Sequence, residues 1–329
     1  MWKIKKGEER GSNLPFDFIM AKYILKRVLI SIATLLVVLL ILFLMLEKMP
    51  GSPFNDEKLS PQQLEVIKEK YGLNDPVLVR YGRYVKMMLK MDFGKSYSLQ
   101  KDANITDMLK GRIAISFELG IGAVLLGTII GAVLGILAAL KHNTWIDTFT
   151  SAVSVAGVSI PSYVFALLLV ILVAVQWQLV PVLYDPSRKF VSSILPVISL
   201  SMFTTATISR FLRSEMLEIL NSDYIELARS KGMSEKRVVW SHGVRNALIP
   251  VITVLGPLLV NLMTGSLVVE KIFSVPGLGE LFITAIMAND YNIVIAIAFL
   301  YSFLFIAVML IVDILYGIID PRIRLERGD

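Results

Sequence analysis

The sequence predicts an all-α polytopic membrane protein with six transmembrane helices and a long extracytoplasmic loop after the first. Three observations predict it. Of 329 residues, 55% are hydrophobic and only 18% are charged, against about 25% charged in soluble domains. The apolar residues are gathered into blocks long enough to cross a bilayer. The basic residues behind the net charge of +6 stand at the ends of those blocks, where anionic headgroups meet them. That placement makes membrane lipid the partner and speaks against nucleic acid. The absence of Cys excludes a disulfide framework, a thiolate nucleophile and a Cys-based metal site. His142 and His242 are the only histidines and are far apart. With no paired carboxylate spacing beside them, no metal site is expected.

Residues 1–27 form a basic tail. Val28 to Leu46 then runs for nineteen residues without a charge, about 28 Å as a helix. No cleavage signal follows, so residues 28–46 are a retained first span, TM1. The basic cluster before it places the N-terminus in the cytoplasm. Residues 47–112 make the extracytoplasmic loop. It opens on Pro50-Gly51-Ser52-Pro53, a turn signal. Amphipathic helices are expected at Ser60–Tyr71 and Val77–Met91, with Ser60, Pro61 and Gln63 as a capping box. The eleven basic residues from Lys48 to Lys110 do not decide its side, because charges in long loops count little toward topology.

Residues 113–317 are the core, holding TM2 to TM6. The second span is Ile113–Leu140. Gly127, Gly131 and Gly135 fall at four-residue intervals on one helix face and open that face to close approach by another helix. The third span is Thr150–Val175, interrupted by Pro161. The fourth is Val191–Ile208, with Thr204 in an inner half rich in Ser and Thr. The fifth is Leu248–Val269, broken at Gly256-Pro257. The sixth is Tyr291–Val312. Pro161, Thr204 and Pro257 are the candidates for a kink or a translocation path. Residues 270–290 are an outer loop with a short helix at Glu280–Met287 that lies on or dips into the outer surface. Residues 318–329 are a cytoplasmic tail that holds Arg322, Arg324 and Arg327. Glu118, Glu270 and Asp313 stand at span ends, and Asp313 is expected to form an ion pair at the inner boundary with the following arginines.

Six spans put both termini, and the polar interval Asp223–Pro250, on the cytoplasmic side. Glu226 to Ser230 has good helix formers. Gly232 follows, the residue type that turns a chain past a helix end through positive φ. Ser234 starts a second helix with Glu235 in its first turn. The expected shape is a short helix, a glycine corner and a helix leading into the fifth span. The other reading is an amphipathic connector lying on lipid.

This interval resembles the EAA loop of ABC importer membrane subunits, which reads Glu-Ala-Ala, three residues, then Gly. Glu226, Ala228 and Gly232 match, with Leu227 in the middle place. Arg245 stands where the general pattern has Pro, and the proline comes at Pro250. That departure is similar to the oligopeptide and dipeptide branch, with its GxSExRVxxxHxxRNAxxP form: Gly232, Ser234, Glu235, Arg237, Val238, His242, Arg245, Asn246, Ala247 and Pro250. Residues 22–32, 71–97, 268–282 and 312–324 resemble further family stretches.

The resemblance implies a type I ABC importer permease fold and a channel shared with a homologous second permease subunit. It also implies two ATPase subunits that hold ATP and Mg, and an extracytoplasmic peptide-binding protein. No Gly-rich GKS or GKT phosphate loop is present, so this chain is expected to be no enzyme and to carry no cofactor of its own. The loop at 213–247 is then the ATPase-coupling element. Glu226 would tie the short helix at its base, Ala228 would allow close docking and Gly232 would turn the chain. Arg229 and Lys231 would pair with acids of the ATPase or stay solvated. A nickel or other small-solute permease of the same family remains the alternative reading. A secondary transporter would be expected to carry mid-membrane ion-binding groups and often an inverted repeat, and neither is found. The expected location is a bacterial or archaeal cytoplasmic membrane.

Overall fold

The computed structural model describes residues 16–48, 60–70, 72–265 and 267–319. The Pro50–Pro53 turn, most of the N-terminal tail, the arginines of the C-terminal tail and the side chain of Asp313 lie outside the described residues. The described chain is mostly helical, and its one β pairing among the described residues is an isolated Lys95–Asn104 bridge.

Helix α1 spans Phe16–Glu47. Helices α2 (Pro61–Lys70) and α3 (Val77–Met88) follow in the long loop. The start of α2 is reciprocally capped. Ser60 N–H donates to Gln63 Oε1 at 3.0 Å, and Gln63 N–H donates to Ser60 Oγ at 3.3 Å. Helix α4 spans Ile105–Leu140 and α5 Trp145–Ser159. Helix α6 (Ser162–Leu169) runs on as π-helix through Gln176. Helix α7 spans Lys189–Leu220, α8 Asp223–Ser230 and α9 Glu235–Arg237. A π-helical stretch, Val238–Val244, leads into α10 (Arg245–Gly265). Helices α11 (Leu267–Ile272), α12 (Leu278–Met287) and α13 (Tyr291–Ile319) complete the chain.

Among the described residues, four helical segments are long and apolar enough to cross a membrane: Ile24–Glu47, Ile105–Leu140, Pro186–Leu220 and Tyr291–Val312. Two bent pairs raise the number to six if each counts as one span. The helices overrun the expected spans. Helix α4 begins inside the expected loop, and α7 includes residues 213–220 of the expected coupling loop.

The third expected span, Thr150–Val175, is not a kinked continuous helix. Helices α5 and α6 meet at 105°. Ile160 is extended, with φ −85° and ψ 122°. Pro161 disfavours the α conformation in the residue before it, so the helix stops and restarts. In the fifth segment the bend is 41°, between Val251 and Val254, rather than at Gly256-Pro257. Pro257 has no N–H for the carbonyl four residues back and its ring crowds it, so the distortion falls one turn before the proline.

The core has three main parts. One gathers Leu39, Phe43, Phe93, Leu109, Leu281 and Ile297 from α1, the long loop, α4, α12 and α13. The second packs α4, α6 and α7 around Phe273. The third gathers Ile208, Leu212, Met216, Val244 and Val251, where α7 meets the entry to α10.

The central contact is α4 against α7. The glycine face of α4 lies on the α7 backbone. A Cβ on Gly127 would stand 2.7 Å from the Ser201 carbonyl oxygen, one on Gly131 2.6 Å from that of Thr205, and one on Gly135 2.7 Å from that of Ser209. Only a glycine allows that approach. Thr204 belongs to this seam. It is fully buried against Gly127.

Candidate functional site

The loop between α7 and α10 is built from α8 upward. Asp223 and Glu226 stand in its first turn and Arg229 in its last, each sign favourable to the helix dipole. Ile225 and Ala228 are buried against Val238, Ile219 and Met233. The opposite face leaves Tyr224 and Leu227 exposed, as is Trp240 beyond the corner.

Gly232 turns the chain with φ +79°. Its N–H donates to the Arg229 carbonyl at 2.9 Å, and Met233 N–H reaches back to the Ala228 carbonyl at 3.3 Å. This is the hydrogen-bond pattern of a Schellman end. A Cβ at Gly232 would meet nothing within 4 Å, so the requirement for glycine here lies in the backbone angle alone. Ser234 precedes α9 in extended conformation, and its side chain makes no cap bond.

Arg229 points back into the loop. Its Nε donates to Glu235 Oε1 at 2.9 Å and its Nη2 to Oε2 at 3.4 Å. Both side chains are exposed, so the pair contributes about 0–1 kcal/mol. It closes the corner between α8 and α9. Asn246 Nδ2 donates to Tyr224 Oη at 3.4 Å and links α10 to α8. The Glu226 side chain is exposed and makes no hydrogen bond among the described residues, so the expected tie at the helix base is not made inside this chain. Lys231 is likewise exposed, and His242 is half-buried in the π-helical stretch.

Local chemistry explains these placements. Three buried polar centres elsewhere escaped sequence reasoning. Asp147, at the start of α5, is 5% exposed. Its Oδ1 accepts from Arg213 Nε at 2.6 Å, and its Oδ2 from Arg213 Nη2 at 2.8 Å and Asn143 N–H at 3.0 Å. His142 Nδ1 stands 3.1 Å from the same Oδ2.

Glu270, placed by sequence at a span end, is fully buried. Ser116 Oγ donates to it at 2.8 Å, Gly279 N–H at 2.7 Å and Glu280 N–H at 3.2 Å. Asp290 is also fully buried. Its Oδ2 accepts from Ser96 Oγ at 2.6 Å and from the N–H groups of Tyr97, Ser98 and Leu99 at 3.0 to 3.1 Å. The only sequence sign of these groups is a lone charge beside an apolar block. No group of three or more His, Cys, Asp or Glu able to hold a metal occurs among the described residues.

Comparison with known proteins gives this geometry a family. Residues 131–325 match the binding-protein-dependent transport system inner membrane component family, and residues 20–117 match its N-terminal region. The chain is 42% identical over 306 residues to a dipeptide transport system permease protein, DppB, of Lactococcus lactis, covering 93% of this chain and all of the relative. It is 38% identical to DppB of Bacillus subtilis, over 94% of this chain and 99% of that one. It is 40% identical to the oligopeptide transport system permease protein OppB of Salmonella typhimurium, over 93% and 100%.

Among solved structures, it resembles a chain of an amino acid ABC transporter crystallised with histidines. The TM-score is 0.52 at 18% identity, over 64% of this chain and 93% of that one. It resembles a chain of the methionine transporter MetNI with a TM-score of 0.50 at 17% identity, over 63% and 95%. These two likenesses carry the fold alone. The chain therefore belongs to the binding-protein-dependent transport system inner membrane component family, and over nearly its whole length it is similar to dipeptide and oligopeptide permease subunits.

Proposed function

We propose that this chain is the transmembrane permease subunit of an ATP-driven importer for dipeptides or oligopeptides. The observation that carries the reading is the similarity to peptide permease subunits over 93% of the chain. In this reading the chain pairs with a homologous permease subunit. Two ATPase subunits hold ATP and Mg and carry out hydrolysis. An extracytoplasmic binding protein delivers the peptide. The chain crosses a cytoplasmic membrane six times, with each bent pair as one span and both termini inside.

Within the 213–247 segment, the part beyond α7 receives the ATPases. Glu226, Arg229, Lys231, Ser234 and Glu235 lie around a knob whose exposed face carries Tyr224 and Leu227. Exposed apolar side chains on a cytoplasmic element suit a protein partner. Gly232 supplies the corner, and Ala228 keeps the knob close to its base. Alternating access follows when closure of the ATPases moves this knob and the spans attached to it.

Reconstitution into proteoliposomes tests the reading. Peptide uptake is expected only when the second permease, both ATPases, ATP and the peptide-loaded binding protein are all present. Uptake without the ATPases would sink it, as would a cognate binding protein that takes chelated nickel and no peptide. For the topology, a cysteine at Lys236 or Glu326 is expected to react with an impermeant reagent from the cytoplasmic side only.

A further inference from the structure

The coupling reading leaves open how movement of one short helix reaches the rest of the chain. Helix α8 hangs from the end of α7, and α7 is joined to α4 by the glycine seam. Helix α4, however, ends at Leu140, and the chain turns through residues 141–144 before α5 begins. Asn143 takes positive φ in that turn, at 60°. A short turn between two helices is the natural place for a hinge. If it hinged, α5 and the sharply bent α5–α6 segment would stay behind when α7 moved.

The buried Asp147 carboxylate spans this corner. It holds Arg213 of α7 through two hydrogen bonds, the turn through Asn143 N–H, and α5 by belonging to it. His142 Nδ1 lies 3.1 Å from Asp147 Oδ2 and 3.2 Å from Arg213 Nη2, and Ser151 Oγ lies 3.5 Å from Oδ1. A forked guanidinium on a carboxylate fixes direction as well as distance. Parting the two would leave the buried Asp147 charge unpaired, which a buried site strongly resists. Arg213 stands two turns before the end of α7 at Leu220, about 10 Å along the helix from the point where the chain leaves α7 for α8.

A second contact runs alongside. A Cβ on Gly157 of α5 would be 2.7 Å from Ala206 Cβ of α7. Helix α5 is thus fitted to α7 along its length and pinned at the end nearest α8.

We propose that Asp147 and Arg213 form a positioning pair that makes the α4–α5 corner follow the coupling loop. Displacement of α8 moves α7, and the pair carries α5 with it as one body. Neither residue touches substrate or ATP. The proposal rests on the coupling role given above to the loop.

The test uses the reconstituted importer. Asp147→Asn and Arg213→Gln are each expected to lower peptide imported per ATP hydrolysed by tenfold or more, within the range of one to three kcal/mol typical of coupling. The double variant should be no worse than either single one. Assembly and basal hydrolysis should stay within about twofold of the parent. Arg213→Lys, which keeps charge but not the fork, should fall between. Assembled variants that import the normal amount of peptide per ATP would overturn the proposal.

Should the variants fail to assemble, labels on the parent pair decide it. The chain has no native cysteine, so spin labels at Thr148→Cys and Ser214→Cys report only the distance between α5 and α7. That distance is expected to be the same in ATP-free and ATP-trapped complexes. A change of more than about 3 Å, beyond ordinary helix shifts, overturns the proposal. Gly232→Val serves as the control. If it too imports normally, the coupling reading has failed; if it uncouples while the pair variants do not, only the pair has.

Discussion

Glu270 and Glu226 are both acids that face the first turn of a short helix, and their surroundings are opposite. Glu270 is fully buried and takes the first N–H groups of α12 together with the Ser116 hydroxyl. The glycines around it leave no slack, since a Cβ at Gly277 would stand 2.3 Å from Glu270 Oε2. Glu226 stands in the first turn of α8, exposed, its carboxylate without a partner among the described residues. Asp290 extends the first pattern and the Arg229–Glu235 pair extends the second. Around α11, α12 and the start of α13 the chain aims its own donors at its acids, leaving only Asp290 Oδ1 without one among the described residues. In the loop between α7 and α10 it leaves them at the surface. Buried carboxylates must be satisfied on the spot, whereas exposed ones cost little to hold ready for a partner. The difference separates a region built for rigidity from one built for contact.

Substitutions can break that contrast, beginning with the largest expected effect. Asp290→Ala should cost about 3–5 kcal/mol, because three backbone N–H groups and the Ser96 hydroxyl lose their acceptor inside the core. The level of protein in the membrane and the melting of purified protein would show it. Survival with an unchanged melting temperature would mean that this centre is not structural. Glu270→Ala should cost about 3 kcal/mol for the same reason, and Glu270→Gln less, since its amide oxygen still accepts. Gly131→Val should cost about 1–3 kcal/mol by overpacking the α4–α7 seam, again read as a lower melting temperature.

The loop should respond differently. Gly232→Val places a side chain in open space but forces positive φ, about 1–2 kcal/mol of local strain. Melting should hardly move, while uptake falls by tenfold or more. Glu226→Gln should change stability by less than about 0.5 kcal/mol. Its effect, if the loop meets an ATPase there, appears only in assembly and uptake. A Glu226 variant that melts like Asp290→Ala would erase the distinction between the two regions.

How much of this was legible in the sequence depended on distance along the chain. The capping box at Ser60 and Gln63 and the glycine turn at Gly232 involve residues at most a few positions apart, and both stand as the local pattern predicts. The spacing of Gly127, Gly131 and Gly135 showed a face made for close approach without naming what approaches it. Pro161 announced an interruption but not its size, because proline dictates the preceding backbone and leaves the exit angle to packing.

Composition and hydrophobic runs by themselves determined that the chain is helical, membrane-spanning and without Cys chemistry, because a bilayer accepts only helices or closed barrels, whose backbone bonds are made internally, and apolar runs of this length suit helices. Local residue order determined the short helix, the glycine corner and the second helix of the loop. The tertiary structure alone decided that α7 fills the glycine face, that α5 and α6 meet at 105°, and which acids are buried. Asp147 finds Arg213 66 positions away, Ser116 finds Glu270 across 154, and Ser96 finds Asp290 across 194. Periodicity and capping report only on neighbours within a turn or two. An isolated acid beside an apolar block reads the same whether it ends in solvent or in a closed net of donors, and only the packing of distant helices settles which.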